Sequence, residues 1–195
     1  WSSDVCSSDL LESRGVRPKH RFGQNFLHDE KAMQALLRAA AVQPGEVILE
    51  VGPGTGTLTE CLVDAGATVV ACELDRDMAS IVRERLGTRI TLVEGDCLDG
   101  KHSLHPAVLQ ALACRPFRLV ANLPYAAATP LIATLLESHA ECGGIVATIQ
   151  REVADRLTAL PDTSEIGPLT ITAQLFAHVE RIATLKPGCF WPAPD

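Results

Sequence analysis

No stretch of this 195-residue chain strings together the ~18 to 20 apolar residues that a membrane span needs. The first residues also lack the basic start and apolar middle of a secretory leader. Both absences lead us to expect a soluble, cytoplasmic protein with no membrane partner. The seven cysteines (Cys6, Cys61, Cys72, Cys97, Cys114, Cys142, Cys189) contain no C-x-x-C pair and have no histidine cluster to match. Neither a zinc site nor a disulfide framework is expected, only reduced thiols, and the six histidines form no catalytic group. Positive charge is not in excess: 17 Lys and Arg stand against 24 Asp and Glu, for a net charge of −7. That balance is unlike a protein that coats nucleic acid with its whole surface. Repeats and low-complexity tracts are lacking as well, and 47% hydrophobic with 21% charged residues describes a packed domain rather than a disordered chain.

The first ten residues, WSSDVCSSDL, lack an initiating Met and any clear period, and are set aside as an appendage outside the fold. Residues 11–28 form a basic segment in which RGVRPKHR carries Arg14, Arg17, Lys19 and Arg21 with no acid. Such a cluster can contact phosphates, or can simply be a solvated tail.

From residue 29 onward the pattern is that of one α/β domain. Apolar positions at helical spacing predict a helix from Asp29 to Val42, stopped by Pro44-Gly45. Val47 to Val51 is a β-branched run of the kind buried in a parallel sheet. Helices at Thr57 to Ala65 and Arg76 to Leu86 alternate with strands at Thr68 to Cys72 and Ile90 to Val93, a βαβαβ series. Further helices are predicted at Ala107 to Cys114, Pro130 to Ser138 and Glu152 to Leu160, with strands at Phe117 to Ala121 and Ile145 to Ile149. After Gly167 the pattern predicts a helix to about Ala177, then a strand from Val179 to Leu185.

Chemistry concentrates at the turns that follow the strands. Gly52, Gly54 and Gly56 sit where the first strand of that series enters a helix, so the backbone there can approach a ligand at a helix N-terminus. The spacing is neither the dinucleotide G-x-G-x-x-G nor a P-loop with its Lys-Ser/Thr, which lowers both of those readings. Glu73 ends the next strand, about 20 residues after the glycines, where an acid can accept ribose hydroxyls. Asp96, one strand further on, can receive an exocyclic adenine amine. Together they describe an adenosyl group. The fourth strand runs into Asn122-Leu123-Pro124-Tyr125: an amide acceptor, a rigid backbone and a flat face, a set able to grip a flipped-out base. An adenine amine donating both hydrogens to two carbonyls there keeps its lone pair free to attack a sulfonium methyl.

With those residues in view, FGQNFL (Phe22 to Leu27), EVGPGTGTLTE, CELD, EGDCLD, NLPY and QREVADRL resemble, in order and spacing, the ribosomal RNA adenine N6-dimethyltransferase family, in its small-subunit, KsgA-type branch. The resemblance runs from Arg17 to Pro194. It implies a Rossmann-like class I methyltransferase fold, with a mostly parallel sheet flanked by helices over residues 29–195. It also implies S-adenosylmethionine as cofactor and dimethylation of two adjacent adenines near the 3′ end of small-subunit rRNA, free or in an assembling subunit, by a monomer. By position, Gln24, Asn25 and Leu27 would close over the cofactor, Gly52, Gly54 and Gly56 would back it, Glu73 and Asp96 would hold its ribose and adenine, and Asn122 would also belong to the cofactor-binding set. Asn122, with Leu123 and Pro124, would orient the target amine, Tyr125 and Phe190 of FWPAP would stack on the base, and Arg17, Lys19 and Arg21 would track RNA backbone. Two departures stand out: Ala126-Ala127-Ala128 follows NLPY where the family often has Asn and an aliphatic residue, and the family's last strand and small helical domain are expected to be missing from this chain. The rivals are a large-subunit rRNA adenine dimethyltransferase conferring antibiotic resistance, a noncatalytic RNA-binding assembly factor, and a metabolite or protein methyltransferase, the last with no use for a base grip.

Overall fold

The computed structural model describes residues 7–19, 22–100 and 103–194. Five strands, β2 (Val47–Val51), β3 (Thr68–Glu73), β4 (Thr91–Glu94), β5 (Phe117–Asn122) and β6 (Cys142–Thr148), form one sheet in the order β4-β3-β2-β5-β6, every neighbouring pair parallel. Between them run α3 (Thr57–Asp64), α4 (Arg76–Leu86), α5 (Pro106–Leu112) and α6 (Tyr125–Ser138), with α1 (Ser7–Ser13), β1 (Phe26–Leu27) and α2 (Glu30–Ala40) before the sheet and α7 (Arg151–Leu157), α8 (Pro168–Phe176) and β7 (Phe190–Trp191) after it. The α/β expectation therefore holds, strand by strand, through β6.

Burial on both faces explains why the strands read as continuous apolar runs. All five residues of β2 are buried. Val47, Leu49 and Val51 point to a cluster completed by Leu112 of α5, Leu131 and Leu135 of α6 and Val153 of α7. Ile48, one residue out of phase, joins Met33 and Leu36 of α2 and Leu58 and Leu62 of α3 on the opposite face. This alternation is the two-residue period of an extended chain acting on two helical layers.

The chain visits β2, β3 and β4 outward in one direction, then returns to place β5 against the other side of β2. The turns after β2 and β5 thus flank a topological switch point, where open parallel sheets present a crevice.

Several expectations need correction. No strand forms at Val179 to Leu185; residues 178–186 run without a ladder and Ile182 is 60% exposed. A strand exists only through pairing, and among the described residues none pairs with this segment, although it and β6 line the same trench. Helix α6 begins at Tyr125 and carries Pro130 inside it, so the proline that suggested a start is a mid-helix residue; Pro124 is the N-cap and the three alanines supply the first turn. Residues 7–10 of the segment set aside at the start of the chain belong to α1, with Ser7 buried and Leu10 packed beside Leu11, Phe26, Met78 and Ile81. Finally, β1 and β7, two residues each, pair antiparallel as Phe26 with Trp191 and Leu27 with Phe190.

Candidate active site

Three chain segments converge on the glycine turn. Gly52 has φ of +73° and a Cβ there would stand 3.0 Å from Cγ of Pro124; Gly54 has φ of +59° and a Cβ would stand 2.7 Å from the Phe26 ring. Left-handed backbone and lack of space both call for glycine. The glycines therefore let the FGQNFL segment and the NLPY turn close directly onto the end of β2. Gly56 is the left-handed N-cap of α3 and faces Leu86 and Val82.

Glu73 closes β3 with 6% exposure. Its Oε2 accepts the Gly54 N–H at 3.1 Å and its Oε1 the Asp75 N–H at 2.9 Å. Burial raises its pKa, partly offset by those backbone donors. The carboxyl is thereby held rigid at the crevice wall with lone pairs left to accept hydroxyls. Asp96 lies two residues past β4, exposed, its Oδ1 accepting the Leu98 N–H at 3.0 Å. Between the two acids, Leu74 stands 50% exposed and lines the same cavity, a flat apolar neighbour for a ring.

On the other side of the switch point, Asn122 ends β5. Its Nδ2 donates to the Asn25 carbonyl at 2.8 Å, and its Oδ1 accepts the Thr148 hydroxyl from the end of β6. Donor and acceptor partners on opposite sides fix which way the amide faces. Tyr125 opens α6 and is half-buried.

One cavity of about 1550 Å³ takes in Gln24, Asn25, Gly52, Gly54, Glu73 and Asp96 on one side. Asn122, Leu123, Pro124, Tyr125 and Phe190 line it on the other. Leu27 and Gly56 do not line it: Leu27 is 4% exposed and packs in the α2–α3 cluster. Arg17 is exposed and joins no ion pair among the described residues, whereas Arg21 lies outside them. Lys19 is already engaged, its Nζ 2.7 Å from Asp75 Oδ1 and 2.7 Å from Asp77 Oδ2.

Sequence reasoning missed Asp75, Thr148 and Glu50. Asp75 is the N-cap of α4, its Oδ1 accepting the Asp77 N–H, and also receives Gln24 Nε2 at 2.9 Å. Burial pushes its pKa up, but the bonds from Lys19, Gln24 and Asp77 outweigh this and hold it below the usual range. Only its capping role leaves a local signal. Glu50, 1% exposed, has an Oε2 with no hydrogen-bond partner among the described residues. Burial pushes its pKa up to about 8, the Thr59 hydroxyl opposing this in part and the Glu73 charge adding to it. Its signal is an acid inside an otherwise apolar strand. Among the described residues no group of three His, Cys, Asp or Glu is placed to hold a metal, and no helix is long and apolar enough to cross a membrane.

The chain resembles known proteins over nearly its full length. It is 40% identical over 189 residues to ribosomal RNA small subunit methyltransferase A of Anaeromyxobacter dehalogenans, covering 95% of this chain and 66% of that protein. The protein of the same name from Hahella chejuensis is 37% identical, with 94% and 66% covered. The chain thus spans about two thirds of the length of these curated relatives. Among solved structures, a dimethyladenosine transferase from Plasmodium falciparum superposes with a TM-score of 0.71 at 29% identity, over 87% of this chain and 59% of that one. The 23S rRNA methyltransferase ErmE gives 0.54 at 28% identity, over 68% and 50%. The family described as ribosomal RNA adenine dimethylase matches residues 15–195. Glycine turn, strand-end acids and NLPY lie inside that match, and the chain belongs to the ribosomal RNA adenine dimethylase family.

Proposed function

We propose that this protein transfers methyl groups from S-adenosylmethionine to the N6 amines of two adjacent adenines near the 3′ end of small-subunit rRNA, acting as a cytoplasmic monomer in ribosome biogenesis. The observation that carries the reading is a single cavity bounded on one side by Glu73 and Asp96 and on the other by Asn122 through Tyr125. The donor chemistry fits the cofactor: a rigid carboxylate for ribose hydroxyls, a second carboxylate for an amine, and Leu74 for an apolar ring face. When bound, S-adenosylmethionine supplies a methyl activated by its sulfonium. Gln24 and Asn25, which line the wall above, would enclose its methionine part beside Gly52 and Gly54.

The chain's own residues then act on the target. Asn122 Oδ1 keeps a lone pair beside the one given to Thr148, and can accept an amine hydrogen. Pro124 stiffens the turn, so that the neighbouring carbonyl accepts the second. Tyr125 and Phe190 offer faces for an unstacked base, each worth ~1 to 3 kcal/mol of stacking. The RNA must present the adenine extruded, with Arg17 available to a phosphate. The names of the relatives, ribosomal RNA small subunit methyltransferase A, support the small-subunit choice.

Calorimetric titration of this chain with S-adenosylmethionine, followed by transfer of labelled methyl to small-subunit rRNA, large-subunit rRNA and DNA, tests the reading. One-site binding and transfer to small-subunit rRNA are expected. Asn122→Ala should cut turnover at least a hundredfold and cofactor affinity by no more than about tenfold, the latter through the lost tie to the Asn25 carbonyl. Equal turnover of DNA, or equal loss of binding and turnover in the variant, would count against the assignment.

A further inference from the structure

The segment before β1 does not lie loose on the surface. Lys19 Nζ bridges Asp75 Oδ1 and Asp77 Oδ2, both at 2.7 Å. The backbone N–H of Lys19 donates to Gln24 Oε1 at 2.8 Å, and Gln24 Nε2 donates to Asp75 Oδ2 at 2.9 Å. Asp75 therefore receives both ends of a closed loop through its two carboxylate oxygens. At the far end, the Asn25 carbonyl accepts from Asn122 Nδ2, and Phe26 then packs on the glycine turn. The result is a strap over the crevice, tied to α4 on the cofactor side and to β5 on the target side, with Phe22, Gly23, Gln24 and Asn25 lining the cavity beneath.

The anchor is well made. The Asp75 side chain is 2% exposed, against 30% for Lys19, so the carboxylate is compensated by these partners rather than by water. Asp75 also donates its backbone N–H to Glu73 Oε1. One residue thus sets both the acid assigned to the ribose and the strap above it.

We propose that Asp75 is a positioning residue which, through Lys19 and Gln24, holds residues 22–25 across the cofactor crevice, so that the Lys19 charge serves the strap and not the RNA backbone. The consequence for cofactor affinity rests on the proposed function; the strap itself does not.

The test uses this chain with Lys19→Met, Asp75→Asn, the double variant and Lys19→Arg. Asparagine can still cap α4, so the fold is expected to survive, and circular dichroism checks it. Amide hydrogen exchange at residues 22–25, read without cofactor, should quicken about tenfold in each single variant. S-adenosylmethionine should bind about five- to tenfold more weakly. The double variant should be no worse than the weaker single one, because one interaction is removed twice. Lys19→Arg should recover most of the exchange protection. Unchanged exchange in both single variants, or losses that add in the double variant, overturns the proposal. Lys19→Met that weakens RNA binding and flattens its salt dependence while leaving exchange unchanged also overturns it and returns Lys19 to the RNA. Protection that depends on the pair, in a chain that binds no S-adenosylmethionine, upholds the strap and sinks the cofactor reading instead.

Discussion

Replacing Glu50 by glutamine should flatten the pH dependence of stability. The carboxyl sits inside β2 at 1% exposure, and its pKa is raised from 4.5 to about 8. The folded protein then binds a proton that the unfolded chain releases, so stability is full below pH 4.5 and falls as pH rises toward about 8. Each pH unit between those two values is worth about 1.4 kcal/mol, so the whole interval amounts to as much as about 5 kcal/mol. That is a large part of a typical stability of ~5 to 15 kcal/mol. Glu73, also raised by burial, slopes the same way, while the lowered carboxyls of Asp75 and Glu46 slope oppositely at acid pH. Only the difference between wild type and Glu50→Gln isolates one group. Urea unfolding at half-unit steps from pH 5 to pH 9, at constant ionic strength, measures it. The variant should gain on the wild type by about 1 kcal/mol or more per pH unit between pH 5.5 and 7.5. Any fixed cost of burying an amide displaces the curves without changing their slopes. Two parallel curves would show that Glu50 is charged in the native protein and that burial does not hold its proton.

Gly54→Ala meets a φ of +59° and a Phe26 carbon 2.7 Å from the new methyl. Destabilisation by about 2 to 4 kcal/mol is expected, seen as a melting temperature about 5 to 15 °C lower; melting together with the wild type would show that the strap yields freely. Thr148→Val removes the hydroxyl that orients Asn122 while keeping the shape. In the methyl-transfer assay kcat should fall about tenfold with KM for the cofactor unchanged, and Thr148→Ser should recover it; a change confined to KM would remove Thr148 from the orientation of the amine.

What could be read in advance follows the physics of each signal. Buried parallel strands announce themselves as apolar runs, as β2, β3 and β5 do, and the alternation with helices made β4 and β6 legible beside them. The β1–β7 pairing was not, because two residues per strand carry no period and Leu27 finds Phe190 at a separation no local pattern encodes. Val179 to Leu185 has the composition of a strand, but composition cannot supply the neighbour that a ladder requires. Asp75 and Thr148 showed only their local roles, helix cap and β-former. Their partners, Lys19 and Asn122, lie 56 and 26 residues away.

The switch point between β2 and β5 also divides labour along the chain. In the proposed reading, the turns after β2, β3 and β4 address the methyl donor, and the turns after β5 and β6 address what is to be methylated. On that reading, target preference can change in the second half without disturbing donor recognition in the first. The strap is the exception. Bound to Asp75 at one end and Asn122 at the other, it must stay compatible with both halves, so a change at either anchor is felt on both sides of the switch point.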